Sequence, residues 1–346
     1  MKRPFLALKT AFLAVFFSFF VALSGWAQAE EVHADTTVAA HGEEAESFNA
    51  NEVIIHHVLD DHQWHFTDHM VLPLPVIVYS EAEGLRVFMS SNFYDEHHQP
   101  VVYQGYKLEH NHITLNDQPV VDLSITKNVA MVFINAALML LIFLAVARAY
   151  RNNTGRAPKG LQSFLEPIIV FVRDEIVKPN LGHHYQKYLP YLLTLFFFIL
   201  FGNLLGLLPG AGNMTGNIAV TLTLAVFTFL ITNFSGNATY WKHIFWTPGV
   251  PLPLRIIILP VEIVGIFTKP FSLTIRLFVA ITAGHIVLLS LLCLTFIFHS
   301  WVVGFGATLV VLFINLIELL VAGIQAYVFT LFTALYIGMA TADDHH

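Results

Sequence analysis

Three ionisable residues stand at equal spacing in a stretch that is otherwise apolar. Glu262, Lys269 and Arg276 lie within "PVEIVGIFTKPFSLTIRLFVAITAGHIVLL", each seven residues from the next. Seven residues turn an α-helix by roughly 700°, so the three side chains share one face if the helix is unbroken. Ionisable residues in apolar segments are costly and usually mark paths for ions. An arginine stays charged in proteins, so Arg276 is a fixed positive charge and cannot relay protons.

A second apolar run carries Glu318 and Gln325, again seven residues apart. If the two runs pair as an antiparallel hairpin, one register places Arg276 opposite Gln325 and His285 opposite Glu318. Arg276 and His285 are nine residues apart, so they lie on opposite faces of a straight helix, and the hairpin must bend or the two residues must serve different surfaces. Histidine and glutamate in such a pair can pass protons, whereas the alternative is a static pair that holds the helices together. No carboxylate faces Arg276 in this register, which predicts that its acidic partner belongs to another subunit.

The elements that hold these residues belong to a membrane protein. The chain has 346 residues and is 56% hydrophobic but only 12% charged, about half the charged fraction of soluble domains. The net charge of −7 comes mainly from the N-terminal region and argues against a nucleic-acid partner. No cofactor is predicted.

The N-terminal part divides into two polar segments. Residues 1–29 resemble a signal peptide, with Lys2 and Arg3 before a short apolar core and a small-residue cleavage site. Residues 30–125 are polar and rich in histidine, and short alternating runs such as "LPVIVYS" and "LRVFMSS" predict a small extracytoplasmic β-rich domain. Residues 126–346 are predicted to form the membrane domain.

The histidine-rich region suggests two interpretations. Imidazole and carboxylate groups are zinc ligands, so a metal site is the sharper hypothesis. The spacing matches no known zinc motif, and the alternative is a solvated face that gains charge in mild acid. The weak metal candidates are His56, His57, His62, His65 and His69.

The membrane domain is predicted to be all-α and polytopic, with five spanning helices. Residues 161–178 are too charged to span and have helical apolar spacing, which predicts an amphipathic helix on the cytoplasmic surface. The last two helices are longer than a bilayer requires, so they are either broken at Pro260 and Pro270 or tilted, as an antiparallel hairpin. The cluster of positive residues after the first span predicts an extracytoplasmic mature N-terminus and a cytoplasmic C-terminus. The predicted spans are 128–150, 188–208, 217–234, 254–298 and 300–342, and the positive cluster is Arg148, Arg151, Arg156 and Lys159.

Three segments resemble subunit a of the membrane sector of F-type ATP synthase: "LFFFILFGNLLGLLPG", "PVEIVGIFTKPFSLTIRLFVAITAGHI" and "IQAYVFTLFTALYIGMA". The resemblance covers about residues 128–342, and the S-L-x-x-R-L-F block is its most specific part. In that family a ring of c subunits, each with one carboxylate, turns against subunit a while protons pass through two half-channels. The resemblance implies a proton-translocating stator that couples proton flow to rotation and ATP synthesis, with no catalytic site of its own.

The resemblance also assigns roles to residues by position. It implies that Arg276 is the essential gate between the half-channels, with Gln325 beside it. Glu262 corresponds to the acid toward the cytoplasmic channel, and Asn203 to the asparagine of the first hairpin helix. His285 and Glu318 stand where many bacterial members have glutamate and histidine, so the proton-carrying pair is kept but swapped.

One departure puts the lining near Arg276 in doubt, because Val279 and Ala280 replace the Gly-Asn that often follows the block. The implied partners are the c ring, the peripheral-stalk subunit b, the F1 sector and the lipid bilayer, and the implied location is the bacterial inner membrane. Proton is the expected ion, because a His–Glu pair suits proton relay. An independent cation channel or secondary transporter is the alternative, but no internal repeat supports it. Neither H-E-x-x-H, G-x-S-x-G nor a phosphate-binding G-x-x-x-x-G-K-[ST] loop occurs in the chain.

Overall fold

The structure is a computed structural model. It describes residues 60–67, 70–81, 83–94, 101–109, 112–116, 118–152, 158–208, 211–246, 251–298 and 301–342. The predicted signal peptide and three metal candidates, His56, His57 and His69, lie outside these residues.

The β-rich region is built from short antiparallel strands in three small sheets, in the orders β1–β2, β4–β3–β8 and β5–β6–β7. Alternation along β3 turns Val76 and Val78 inward, where neither has any exposed surface, against Phe93 and Tyr106. This alternation produced the sequence prediction of strands, and the β-rich region is confirmed. The strands are β1 (Gln63–Thr67), β2 (Met70–Pro73), β3 (Pro75–Ser80), β4 (Gly84–Met89), β5 (Tyr106–Glu109), β6 (His112–Leu115), β7 (Gln118–Pro119) and β8 (Val121–Asp122).

The rest of the described chain is helical. Five segments within it are long and apolar enough to cross a membrane, which confirms the predicted number of spans. The helices are α1 (Lys127–Asn152), α2 (Leu161–Phe171), α3 (Lys178–Leu181), α4 (Tyr185–Gly206), α5 (Ile218–Ser235), α6 (Ala238–Phe245), α7 (Leu252–Phe298) and α8 (Trp301–Thr341), with a π-helical turn at Val172–Val177 between α2 and α3.

The segment predicted as an amphipathic helix forms α2 and the π-helical turn. Leu165, Val172 and Ile176 are buried in the core of the membrane helices. Leu161 and Phe164, in contrast, are 49% and 68% exposed. The apolar positions therefore divide between a protein-facing side and an open side.

The long helix α7 runs through both of its prolines. It spans 47 residues with Pro260 and Pro270 inside it, so of the two possibilities, a broken or a tilted helix, the structure keeps the helix whole. A helix of this length extends about 70 Å, whereas the hydrocarbon core of a bilayer is about 30 Å thick.

The core of the membrane region lies where α8 meets α4, α5 and α7. The α8 side chains in this core are small or flat: Ala322, Ala326 and Ala334 have no exposed surface. Small residues let membrane helices approach closely, since lipid gives them no hydrophobic reason to associate. The outer faces of α7 and α8 stay open and apolar: Ile256, Val261, Val264, Leu312, Phe313 and Leu320 are each more than 60% exposed.

Candidate functional site

The membrane helices have two ends, and the β-rich region marks one of them. The backbone N–H of Lys127, at the start of α1, donates to the carbonyl of Asp61 at 2.8 Å. We call this end, where α1 and α5 begin and α4 and α7 finish, the β end. Along α7, Glu262 lies fourteen residues before Arg276, about 21 Å toward the opposite end, and Gly284 lies eight residues after it, about 12 Å toward the β end.

Arg276 is half-buried on α7 and has no acidic partner among the described residues. Its Cζ lies 4.4 Å from the centroid of the Phe332 ring, and its Nη2 donates to Ser272 Oγ at 3.4 Å. A cation over an aromatic ring is stabilised by about 0.5–2 kcal/mol, which is far less than a full counter-ion supplies in a dry site. The guanidinium is thus held in position but not neutralised.

The predicted contact of Arg276 with Gln325 is not formed. Gln325 is half-buried on α8, seven residues before Phe332, and no hydrogen bond joins the amide to the guanidinium. Helical side chains lean toward the N-terminus of their own helix. On an antiparallel partner that direction leads to higher residue numbers, so the long arginine side chain reaches Phe332 instead of Gln325.

Glu318 is buried in the half of the helices nearer the β end and lies against α7 at Gly284. It is only 3% exposed, and neither carboxylate oxygen has a hydrogen-bond partner among the described residues. Gly284 leaves room for this carboxylate, because a Cβ at position 284 would stand 2.9 Å from Glu318 Oε1 and the end of the glutamate side chain would have to shift. The structure thus brings Glu318 beside Gly284, the residue that precedes His285. A carboxyl group in such a place must carry a proton or meet a partner that comes to it.

Asn203 continues the polar path from Glu318 to the β end. It is 2% exposed, and its Nδ2 donates to the carbonyl of Ala322, one turn after Glu318 on α8, at 3.2 Å. Its Oδ1 accepts from Thr215 Oγ1 at 2.8 Å. Thr215 lies in the turn between α4 and α5, and its hydroxyl is also 3.1 Å from Asn213 Oδ1.

A second polar region lies toward the opposite end, around Glu262. The carboxylate interacts electrostatically with Lys269 and Tyr240, and Lys269 Nζ is 5.3 Å from the centroid of the Tyr336 ring. Burial, with a further contribution from Glu262, raises the pKa of Tyr240 to about 12. Lys269, Tyr240 and Tyr336 line a small cleft together with Asn233 and Thr232. Arg276 therefore stands between two polar regions.

The described histidines do not form a metal site. His62 is 3% exposed, so the expectation of a solvated face is wrong for this residue. Its Nε2 lies 2.9 Å from Asp122 Oδ2. Burial alone would raise the pKa of Asp122, but hydrogen bonds from His62 and Ser124 outweigh it and hold the pKa below its ordinary value. Within the described part of the chain no three histidine, cysteine or acidic residues cluster as metal ligands; the backbone of His65 lies in β1.

Several residues of the site could not be identified from sequence patterns. Phe332 and Gly284 looked like ordinary helix residues, and only the packing of α7 on α8 assigns them to Arg276 and Glu318. Thr215 and Asn213 are in an uncharged turn that offered no signal beyond its length. Of the polar pair Lys269 and Tyr336, only the lysine could be noticed in the sequence. The sequence alone was also consistent with a lysine that simply reaches the membrane interface.

Comparison with known proteins covers both parts of the chain. A family model described as ATP synthase A chain matches residues 129–338, and one described as a domain of unknown function (DUF8433) matches residues 53–130. ATP synthase subunit a 2 of Prosthecochloris aestuarii is 41% identical over 330 residues, covering 93% of this chain and 88% of that protein. ATP synthase subunit a of Chloroherpeton thalassium is 40% identical over 331 residues, covering 93% and 87%. A subunit a from an Anaeromyxobacter species is 38% identical over 317 residues, covering 89% and 75%.

Proposed function

The chain belongs to the ATP synthase subunit a family, whose members are membrane subunits of F0 without a catalytic site of their own, and we propose that Arg276 is the gate between its two proton half-channels. As a multi-pass F0 subunit it is the proton-translocating stator of the complex. The observation that carries the proposal is the position of an arginine, without an acidic partner among the described residues, between two separate polar regions.

The missing counter-ion of Arg276 is the c subunit's carboxylate. A fixed positive charge attracts an arriving carboxylate and favours its ionised form, so the proton leaves as the rotor site reaches Arg276. The same charge repels protons and other cations that would otherwise run directly between the polar regions. The open apolar faces of α7 and α8 offer the surface along which the c ring passes.

The two polar regions become the two half-channels. Glu318, His285 and Asn203 form the extracytoplasmic path, in which Glu318 accepts and releases the proton. Glu262 serves the cytoplasmic path, next to the cleft at Lys269 and Tyr240. Gln325 lies on the Arg276-facing side of α8 and contacts the arriving rotor site, not the arginine.

The same proposal fixes the topology. The mature N-terminus lies outside the cytoplasm and the C-terminus inside, in the bacterial inner membrane, with the α1 arginines on the cytoplasmic side. Residues 1–29 are a signal peptide, 30–125 an extracytoplasmic region and 126–346 the membrane domain. The α2 segment lies on the cytoplasmic surface, and α7 and α8 form a tilted antiparallel hairpin. Subunit b, F1 and the surrounding lipid complete the set of partners.

ATP-driven proton pumping tests the proposal. Inverted membrane vesicles carrying the wild-type complex are compared with Arg276→Ala, after rotor and ATPase subunits are shown to copurify with both. We expect pumping to disappear in the assembled variant, since the fixed positive charge that displaces the rotor proton is lost. Arg255→Ala is the matched control: this arginine is on the same helix, with its guanidinium 3.9 Å from the Trp246 ring, and pumping should persist. Unchanged pumping in Arg276→Ala would refute the gate.

A channel or secondary transporter acting alone receives no support from the comparisons, since the matched relatives are named ATP synthase subunit a. Copurification separates the two functions directly, because an independent transporter would purify without rotor and ATPase subunits.

A further inference from the structure

The β-rich region contacts the turn that joins α4 to α5. This turn, residues 211–217, carries Thr215 and so forms the outermost part of the polar path to Glu318. The relevant contacts come from Asp60, Trp64 and Leu74, three residues that precede the membrane helices. We call these three residues the turn clamp.

Asp60 is the polar member of the turn clamp. Its Oδ2 accepts from Thr126 Oγ1 at 2.8 Å and from Asn217 Nδ2 at 3.3 Å. Its Oδ1 accepts from the backbone N–H of Asn128 at 3.0 Å. One carboxylate thus joins the β-rich region, the first turn of α1 and the start of α5. The nearby charges are those of Asp61 and Lys127.

Trp64 and Leu74 are the apolar members. They form a buried cluster with Met131 of α1 and Met214 of the turn. Met214 is 1% exposed, and it packs closely on α4 at Gly202: a Cβ at that position would overlap the Met214 methyl group unless the methionine side chain shifted. Gly202 directly precedes Asn203, so the apolar cluster and the polar path meet at the same point of α4.

The clamp therefore acts on the proton path through a short series of contacts. The β-rich region fixes Asn217 and Met214, the turn between them presents Thr215 to Asn203, and Asn203 binds the carbonyl of Ala322 one turn from Glu318. A displacement of about 1 Å in such a series is enough to slow a transfer step strongly.

We propose that the N-terminal β-rich region is a positioning element of the extracytoplasmic half-channel, and that Asp60 is its key residue. Asp60 holds the turn and does not carry the proton: its carboxylate accepts from Thr126 Oγ1, Asn217 Nδ2 and the backbone N–H groups of Asp61 and Asn128. It keeps the turn in the place where Thr215 and Asn203 continue the path to Glu318. This role rests on the proposed function, because the path matters only if protons enter at the β end.

Exchange of the two partners provides the test. Asn217→Asp keeps the helix cap of α5, where the Asn217 side chain accepts from the backbone N–H of Ala219 at 2.8 Å, but sets two carboxylates against each other. Asp60→Asn sets two amide donors against each other. The double variant, Asp60→Asn with Asn217→Asp, restores one donor and one acceptor, while Asn at position 60 can still accept from the N–H of Asn128.

The measurement is the rate of ATP synthesis by the whole complex in proteoliposomes. It is made first at a series of extracytoplasmic pH values with the cytoplasmic pH fixed, and then at a series of cytoplasmic pH values with the extracytoplasmic pH fixed. We expect each single variant to lower the rate about tenfold, the size of effect that the loss of a hydrogen bond to a charged group produces. The extracytoplasmic pH at which the rate is half-maximal should be lower than in the wild type. The dependence of the rate on cytoplasmic pH should stay as in the wild type. The double variant should recover most of the rate.

The result that overturns the proposal is a double variant no better than the single ones, or single variants that synthesise ATP at the wild-type rate. Asp122→Asn is the control for general weakening of the β-rich region, since Asp122 binds His62 and not the turn; its rate should be unchanged, and a drop equal to that of Asp60→Asn would also overturn the proposal. If the Asp60→Asn complex does not assemble, the proposal is tested by Asn217→Asp alone and by the recovery of its rate in the double variant. Failure of the proposed function is recognised separately, by Arg276→Ala that still pumps.

Discussion

Asp60 and Asp122, which precede the membrane helices, differ from Glu318, which lies within them, in the hydrogen bonds that their carboxylates accept. Asp60 accepts hydrogen bonds from Thr126, Asn128 and Asn217, and Asp122 accepts from His62 and Ser124. Glu318 is more deeply buried than either, but within the part of the chain that the structure describes neither of its carboxylate oxygens has a donor. Buried polar groups in folded proteins are nearly always satisfied, so a buried carboxylate without a donor is consistent with a partner that comes from elsewhere.

Arg276 differs in the same way from the cations that form ion pairs elsewhere in the described chain. Arg173 and Lys178 both bind Asp174 through direct contacts, whereas Arg276 contacts the Phe332 ring and the Ser272 hydroxyl and has no acidic partner among the described residues. Satisfied charges hold the structure together. An unsatisfied charge within the membrane costs free energy. The passage of protons and rotor carboxylates explains why this protein keeps such charges.

After Arg276→Ala, the largest effect is expected from Glu318→Gln, which keeps the shape of the side chain but removes its capacity to bind and release a proton. Assembly should be normal, because the carboxylate has no hydrogen bonds to lose, and proton pumping should fall about a hundredfold, the usual value of a positioned acid–base group. Copurification and pumping in inverted vesicles measure the two quantities. Glu83→Gln, the same change in the β-rich region, is the control and should pump normally. Unimpaired pumping in Glu318→Gln would contradict the claim that a buried acid without hydrogen-bond donors marks the proton path.

A smaller effect is expected from Gly284→Ala. The new methyl group would stand 2.9 Å from Glu318 Oε1, and the end of a glutamate side chain moves aside easily. We therefore expect little change in stability but a drop in pumping of about tenfold, because the displaced carboxyl group no longer lies on the path. Gly265→Ala is the matched control, since nothing lies within 4 Å of that position. Equal pumping by the two variants would show that the position of Glu318 does not matter.

The smallest effect concerns the satisfied side of the comparison, at Asp122. Its folded-state pKa lies below the ordinary value, so its stabilisation is fully present above the unfolded pKa of about 3.9 and is lost as pH falls through the folded pKa. Asp122→Asn should destabilise the β3–β8 pair by about 1 kcal/mol at pH 7, and by less below pH ~4. Hydrogen exchange of the β3 and β8 amides in the intact complex, about fivefold faster in the variant at pH 7, measures this. A difference that persists undiminished at the lowest pH would contradict the assignment.

The sequence predicted the helices well because lipid imposes length and polarity on each span. The first span was expected at 128–150 and is α1, Lys127–Asn152, and the last at 300–342 and is α8, Trp301–Thr341. Helix periodicity, which fixes which residues share a face, also suggested a register for α7 on α8, with Arg276 opposite Gln325 and His285 opposite Glu318.

The details of the site did not follow from the sequence. The pairing of Arg276 with Gln325 compared backbone positions and ignored the direction in which a helical side chain leans, which is why Phe332 was missed. The clamp was out of reach because Asp60 and Asn217 are 157 positions apart in the chain. No periodicity connects an aspartate in one region to an asparagine at a helix cap in another.

The passive proton leak through the assembled complex tests the central claim most directly. Vesicles holding the wild type, Arg276→Ala or Arg255→Ala are given a membrane potential without ATP, and proton entry is followed by a pH-sensitive dye. If Arg276 separates two half-channels, Arg276→Ala should leak protons faster than the wild type, while Arg255→Ala stays tight. If Arg276→Ala is as tight as the wild type and still pumps with ATP, the arginine is only a structural partner of Phe332 and Ser272, and the gate does not exist.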